Sequence, residues 1–314
     1  MTLIKIKTYT IVSLSMLFMV CLYLPIFAST DSEHTVHFIE KTVGPRPIAM
    51  GQAVVSMPND AYAIYTNPAG LGKLKKRYFQ AMAYSAFETQ FTSVELTSRV
   101  LGGQIGIGYL QASMGDIQES KFNSFTNTYE LTGNTFSYLG QGLFIAHGRK
   151  LFNLIHAGFT LKYLQESLYN FSSKGYGLDI GLLYSFDFEG TPINLGVNGQ
   201  NIINPKLKWD TSSGETSVIP TTLCYGASST FFDDMFTLSG ELKRTSDTST
   251  FHIGVEYMVN NIIPIRVGWN HDQLSVGLGL HLKKLRLDYS LTLPKSDEKD
   301  FLENISRFGV SIVY

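Results

Sequence analysis

Cysteine is nearly absent, with two residues, Cys21 and Cys224, in a chain of 314. Cys21 falls in a leader expected to be removed, which would leave Cys224 alone and excludes an intramolecular disulfide framework in the mature protein. Charge is scarce too: 16% of residues are charged, and 25 Lys and Arg face 26 Asp and Glu for a formal net charge of −1. That balance lacks the basic excess of a nucleic-acid binder. Long apolar runs are missing beyond Ala28, where no stretch approaches the roughly 20 residues of a spanning helix, so a bundle of membrane helices is excluded.

What is present begins with the leader. Lys5 and Lys7 precede an uncharged run over residues 11–28 that ends in the small residues Ala28 and Ser29. This is the pattern of a secretory signal peptide cleaved near Ala28. Pro25 and the polar stretch 30–40 weigh against a retained membrane helix, and Val20 is a poor match for the small residue that precedes a lipid-modified cysteine.

The remainder is dominated by period two. Phe251, Ile253, Val255 and Tyr257 alternate with His252, Gly254, Glu256 and Met258. Val276, Leu278, Leu280 and Leu282 repeat the pattern, as do Leu285, Leu287, Tyr289 and Leu291. Every second residue therefore faces one apolar phase. About fourteen such segments follow the N-terminal region, over 77–86, 90–99, 103–112, 135–149, 154–165, 175–186, 191–201, 220–230, 235–244, 250–259, 263–270, 273–282, 284–292 and 305–314. Alternation alone fits either a soluble sandwich or a barrel. Segment lengths near the ~9–11 residues of a tilted spanning strand favour the barrel. So do aromatics near segment ends, such as Tyr84, Phe87, Tyr109, Tyr184, Trp269 and Tyr289.

The connections sort by parity. Those after even-numbered segments are brief, as at 187–190, 231–234, 260–262 and Lys283, whereas long polar stretches at 113–134, 202–219 and 293–304 follow odd-numbered ones. Outer-membrane barrels alternate short periplasmic turns with long outer loops in this way. Short connections near Phe87 and His271 are exceptions. The expected fold is all-β: a transmembrane antiparallel β-barrel of about 14 strands spanning 77–314, after a signal peptide at 1–28 and a separate N-terminal segment at 29–76. The final strand, alternating through Phe308, Val310 and Ile312 to Tyr314, resembles the terminal signal read by the outer-membrane assembly machinery.

Residues 29–76 do not alternate. They carry Gly44-Pro-Arg-Pro-Ile-Ala-Met-Gly51 and the stretch 59–71, NDAYAIYTNPAGL. As local structure, Asn67 and Pro68 start a turn and Gly70 tolerates unusual backbone angles. The run from Ile48 through Asp60 and Ala61 to Asn67, Pro68, Ala69, Gly70 and Leu71 resembles the N-terminal signature of the FadL superfamily, which includes FadL-type transporters of long-chain fatty acids and PorV/PorQ-like outer-membrane proteins. The resemblance implies a fourteen-stranded barrel with the N-terminal segment inside it as a hatch. Asn67, Pro68, Ala69 and Gly70 are then candidate gate residues, with Asp60 as an anchoring carboxylate. FadL-type transporters release substrate sideways through a wall defect, and Gly102, Gly103, Gly106 and Gly108 of the third strand are the candidates for one here; the competing reading is that these small residues make room for the hatch.

No active-site constellation emerges, and the chain is not expected to be an enzyme or to need a cofactor or metal. His34 and His37 stand alone, and His147, His156, His252 and His281, read as facing inward, have no serine or carboxylate at a recognisable motif spacing. The glycines at 102–108 alternate with Ile105 and Ile107, which places them in a strand instead of a phosphate-binding loop. The leading functional expectation is a passive conduit in the bacterial outer membrane for a hydrophobic small molecule such as a fatty acid. The other is an adaptor, shuttle or surface-binding protein, as the PorV-like branch implies, engaging a protein partner through its outer loops. The expected partners are outer-membrane lipid, a hydrophobic ligand and the assembly machinery.

Overall fold

A computed structural model describes residues 38–40, 43–57, 60–271, 273–293 and 304–314. The signal-peptide segment, His34, His37, Asn59 and most of the 293–304 connection lie outside the described residues.

Fourteen antiparallel strands close on themselves. They are β1 (Tyr78–Ala86), β2 (Thr89–Val100), β3 (Gly103–Asn123), β4 (Thr128–Phe152), β5 (Ile155–Leu168), β6 (Phe171–Phe188), β7 (Thr191–Ile203), β10 (Thr222–Phe231), β11 (Phe236–Arg244), β12 (Ser249–Val259), β13 (Ile263–Trp269), β14 (Leu274–His281), β15 (Leu285–Leu293) and β16 (Ile305–Val313). A short hairpin, β8 (Lys206–Trp209) and β9 (Thr216–Val218), sits in the connection between β7 and β10. Each barrel strand pairs with its neighbours in sequence, and β1 pairs with β16 from Tyr78↔Val313 to Tyr84↔Arg307. That last ladder removes the sheet edge, which a membrane would leave unsatisfied. The fourteen segments read from alternation each fall on one of these strands.

The faces decide between barrel and sandwich. The apolar members of the alternation are the exposed ones: Val94, Leu96, Ile107, Leu143, Phe159, Ile180, Leu182, Ile253, Val267, Leu278 and Leu287 all point outward. Their polar neighbours are buried, including Glu95, Thr97, Thr160, Asn198, Ser239, His252 and Arg266. A soluble sandwich hides its apolar face; here it is turned out, which only a surrounding hydrocarbon phase makes favourable.

Both chain ends of the barrel and six tight connections share one end, called here the turn end. Leu101 and Gly102 (φ 53° and 72°), Glu189 and Gly190 (51° and 85°), and Asn260 and Asn261 (51° and 57°) have consecutive left-handed residues. Such pairs match the strand twist in two-residue hairpins. Phe87 and Glu88 do the same at the opposite, loop end.

Two stretches read as loops differ. Residues 113–134 are mostly strand, because β3 and β4 continue past their neighbours as a two-stranded ribbon that turns at 124–127. A ribbon standing clear of the barrel has no buried face, so its residues need not alternate, and two register shifts, at Met114/Ile117 and Gln118/Ser120, scramble what pattern remains. In the 202–219 connection, the β8–β9 hairpin turns Leu207 inward, and Leu207 and nearby Ile219 are both buried. Tyr84, grouped with the membrane-edge aromatics, instead points into the lumen, stacked on Phe91 at 4.6 Å with Arg307 4.5 Å from its ring.

The ribbon makes a direct prediction. Strand β2 pairs with β3 only as far as Ser113, and β5 pairs with β4 only as far as Tyr138. Replacing residues 116–134 with a two-residue turn is therefore expected to leave the barrel folded. The check is an unchanged heat-modifiable mobility on a denaturing gel; a variant that no longer shows it would mean the ribbon is needed for closure.

Candidate functional site

Residues 43–57 and 60–74 run through the barrel interior before β1 begins, and their local chemistry sets their shape. Helix α1 (Pro45–Ala49) starts with Pro45, whose fixed φ suits a first helical position, after Gly44 at φ 102°. Helix α2 (Ala63–Thr66) leads to Asn67, extended at φ −161°, which caps a 3-10 turn over Pro68–Lys73. Asn67 Oδ1 accepts from the Ala69 N–H at 3.1 Å, the usual service of an N-cap asparagine.

The other atom of that side chain binds elsewhere. Asn67 Nδ2 donates to the Val55 carbonyl at 2.8 Å and to the Leu182 carbonyl of β6 at 3.2 Å. Asn67 thus holds its own turn, an earlier part of the segment and the barrel wall together, and it is fully buried. Around it, Asn198 Nδ2 donates to the Thr66 carbonyl (2.8 Å), Thr160 Oγ1 to the Ile64 carbonyl (2.9 Å) and Gln200 Nε2 to the Tyr65 carbonyl (3.1 Å). On β11, two strands along the ring from β7, Glu241 Oε2 accepts from the Val54 and Val55 N–H groups, both at 2.8 Å. The barrel's inward polar side chains therefore replace the water that an irregular backbone would otherwise need.

A buried ionic chain fixes α1. Arg46 Nε lies 3.0 Å from Glu256 Oε2, Arg266 Nε lies 2.6 Å from the same oxygen, and Arg266 Nη1 lies 2.6 Å from Asp288 Oδ1, which also meets His281 Nε2 at 3.2 Å. Arg266 has no exposed side-chain surface. Asp60, the candidate anchoring carboxylate, lies 3.6 Å from Arg46 Nη1 and accepts from the Tyr62 N–H at 2.9 Å, both within the same segment. Burial raises the Asp60 carboxyl above the ordinary range, against the opposing pull of Arg46 and the Tyr62 N–H.

Close approach needs missing side chains. The Pro68 backbone lies against Gly158, and the Gly51 backbone lies against Gly268, so closely that a Cβ at either glycine would collide with it. On β3, a Cβ at Gly106 would meet Ile64 at 2.6 Å and Leu71 at 3.3 Å, and one at Gly108 would meet the Tyr65 ring at 3.0 Å. These two glycines make room for the luminal segment. Gly102 is a turn residue with open space beside it, and Gly103 abuts Gly148 and Arg149. The β2–β3 ladder runs without a register shift from Ser113 to Gly103, and the β3–β4 ladder from Gln104 to Met114.

Toward the loop end the segment forms the floor of a cavity of about 420 Å³. Its lining is mixed: Tyr65, Leu110 and Phe144 are apolar, and Lys162, cross-strand neighbour of Phe144, Asn201 and His252 are polar. Lys162 Nζ is 2.8 Å from both Asp179 Oδ1 and Asn201 Oδ1. The lining reaches loop-end residues Thr248 and His271.

The sequence brought Asn67, Pro68, Ala69 and Gly70 together by adjacency, and the structure buries all four against the wall. It missed Arg46, Glu256, Arg266 and Asp288. The usable signal was charge at polar-face positions in the middle of spanning strands, which is costly unless paired. Of the histidines read as inward, His156, His252 and His281 are; His147 lies on the outer face against Phe159, because Ala146 and Gly148 take the inward positions of β4. Among the described residues, no three His, Cys, Asp or Glu side chains converge as metal ligands.

Replacing Asn67 with Ala leaves the Val55 and Leu182 carbonyls without this donor and the Ala69 N–H without its acceptor, a cost of about 2 kcal/mol. Amide exchange over residues 60–74 should then accelerate about 30-fold, with the strands unaffected. Gly268→Val should displace the segment from a barrel that still folds, seen as raised single-channel conductance in planar bilayers; unchanged conductance would show that the close approach is dispensable.

No protein-family model and no curated protein sequence matches the chain. Solved structures do. The toluene transporter TbuX of Ralstonia pickettii aligns at a TM-score of 0.58 and 14% identity, covering 87% of this chain and 97% of that one. The toluene transporter TodX of Pseudomonas putida aligns at 0.59 and 13%, covering 87% and 96%. A FadL homologue of Pseudomonas aeruginosa aligns at 0.50 and 12%, covering 83% and 95%. The likeness takes in nearly the whole of each neighbour. With its closed fourteen-stranded wall and apolar exterior, this chain has the fold of the FadL-type outer-membrane proteins.

Proposed function

We propose that the protein is a passive outer-membrane conduit for hydrophobic small molecules, long-chain fatty acids among them, with the N-terminal segment 29–76 acting as a hatch. The observation that carries this reading is the cavity of mixed lining resting on the luminal segment. Its apolar residues can hold a hydrocarbon body while its polar ones receive a carboxylate or hydroxyl. The structural neighbours include toluene transporters and a FadL homologue, channels and transporters and not enzymes. No cofactor enters the scheme, since burial of apolar surface at each stage drives movement.

Sideways exit at β3 requires more than small residues. The inner faces of Gly106 and Gly108 are filled by Ile64, Leu71 and Tyr65, and the ladders on either side are intact. In this proposal the segment withdraws first, and only then can the wall yield, so Asn67, Pro68 and Ala69 control both the lumen and the exit.

A second reading, an adaptor or surface-binding protein, draws on the protruding ribbon, where Phe122, Phe125, Tyr129 and Leu131 are exposed. Apolar residues outside the lipid band are a common mark of a protein contact.

Uptake of a fluorescent long-chain fatty acid into proteoliposomes separates the two. Wild type is expected to take it up, and a folded variant altered at Asn67, Pro68 and Ala69 to lose gated uptake. No uptake by folded wild type would favour the ribbon reading. If Gly106→Val with Gly108→Val left uptake and folding unchanged, the exit at β3 would be discarded.

A further inference from the structure

The luminal segment leaves the barrel at the turn end through Lys73, Leu74, Lys75, Lys76 and Arg77. This stretch is fixed in place. Gln104 Nε2 donates to the carbonyls of Leu74 at 2.7 Å and Lys76 at 2.9 Å, and the Arg99 guanidinium donates to the Lys75 carbonyl at 2.6 Å. Beside it lies a second cavity, of about 680 Å³, bounded by this stretch, the β2–β3 turn and the end of β4.

Among the described residues, the charged side chains lining this cavity are Lys73, Lys75, Arg99 and Lys150, with no carboxylate. His156 forms part of the wall, more than nine-tenths buried, with an Nδ1 that has no hydrogen-bond partner among the described residues. The charges facing its ring are those of Lys73 and Lys150. Elsewhere in the lumen the buried cations Arg46, Arg266 and Lys162 each meet a carboxylate within 3.0 Å, while buried Arg307 donates to Thr292 Oγ1 and lies over the Tyr84 ring. Here, among the described residues, Lys73 meets neutral acceptors, Ser185 Oγ at 3.0 Å and Asn194 Oδ1 at 2.7 Å. Cations gathered around one concavity with low-dielectric walls focus a positive potential into it.

We propose that this turn-end cavity is a binding site for a phosphate group. Lys75, Lys150 and Arg99 converge on the space, and Arg99 retains N–H donors beyond the one given to the Lys75 carbonyl. Several cationic donors at different angles suit a tetrahedral oxyanion, which accepts on every oxygen. The luminal segment separates this cavity from the loop-end one, so the phosphate enters from the turn side. Either free phosphate or the headgroup of an anionic phospholipid supplies the same chemistry. The site stands independently of the conduit reading, because it requires no transport.

The test is titration calorimetry on the full protein in non-ionic detergent, with inorganic phosphate and, separately, dihexanoyl phosphatidic acid below its micelle concentration. The variant Lys75→Gln, Arg99→Gln, Lys150→Gln changes three exposed side chains, and heat-modifiable mobility verifies its fold. A control, Lys174→Gln, Lys206→Gln, Lys208→Gln, removes the same charge at the loop end. At least one probe should bind wild type, weaken about tenfold or more in the site variant, and be unaffected in the control. Equal binding of both probes would assign free phosphate, and binding of phosphatidic acid alone would assign a lipid headgroup. Absence of binding by both, or equal weakening in site and control variants, would overturn the proposal.

Discussion

The structure depends on one constraint: no backbone polar group may face hydrocarbon unpaired. The β1–β16 ladder satisfies it by joining the two ends of the sheet, so a ring of fourteen strands has no edge. Once the sheet is closed, period-two alternation has a fixed meaning. One face meets lipid and carries Leu, Ile, Val and Phe, and the other encloses a lumen of polar and charged groups that have left bulk water. Those groups then need partners of their own.

The luminal segment is that partner. Its irregular backbone offers carbonyl and N–H groups in directions no regular element would, and Thr160, Asn198, Gln200 and Glu241 take them up. The ionic chain from Arg46 through Glu256 and Arg266 to Asp288 shows the same economy in charge. Breaking a buried chain of this kind is costly because each remaining member keeps an unmatched charge, whereas its formation adds little net stability. It places α1 beside β12, where Arg46 meets Glu256.

Charge is distributed unevenly along the axis. The loop-end cavity pairs its Lys162 with Asp179, while the turn-end cavity leaves Lys75, Arg99 and Lys150 without a lining carboxylate. The two cavities are divided by the same luminal segment, so the protein presents chemically different surfaces to the two sides of the membrane.

The sequence by itself determined the class of fold and most strand positions, because in a barrel each strand reports its two environments locally through alternation; Phe251 to Met258 and Val276 to Leu282 show this without reference to any partner. It also determined that Asn67, Pro68, Ala69 and Gly70 form a turn, which is a property of neighbouring residues. Only the tertiary structure decided that the ribbon over 113–134 is strand, since it has no buried face to leave a pattern, and that Tyr84 points inward and His147 outward, since both sit where register, not composition, sets the face. It alone decided that Arg46 meets Glu256, 210 positions away, and that Gly158 and Gly268 are where the luminal backbone touches the wall. Contacts between distant residues depend on closure of the whole ring, and no local pattern encodes which inward side chain will face which turn.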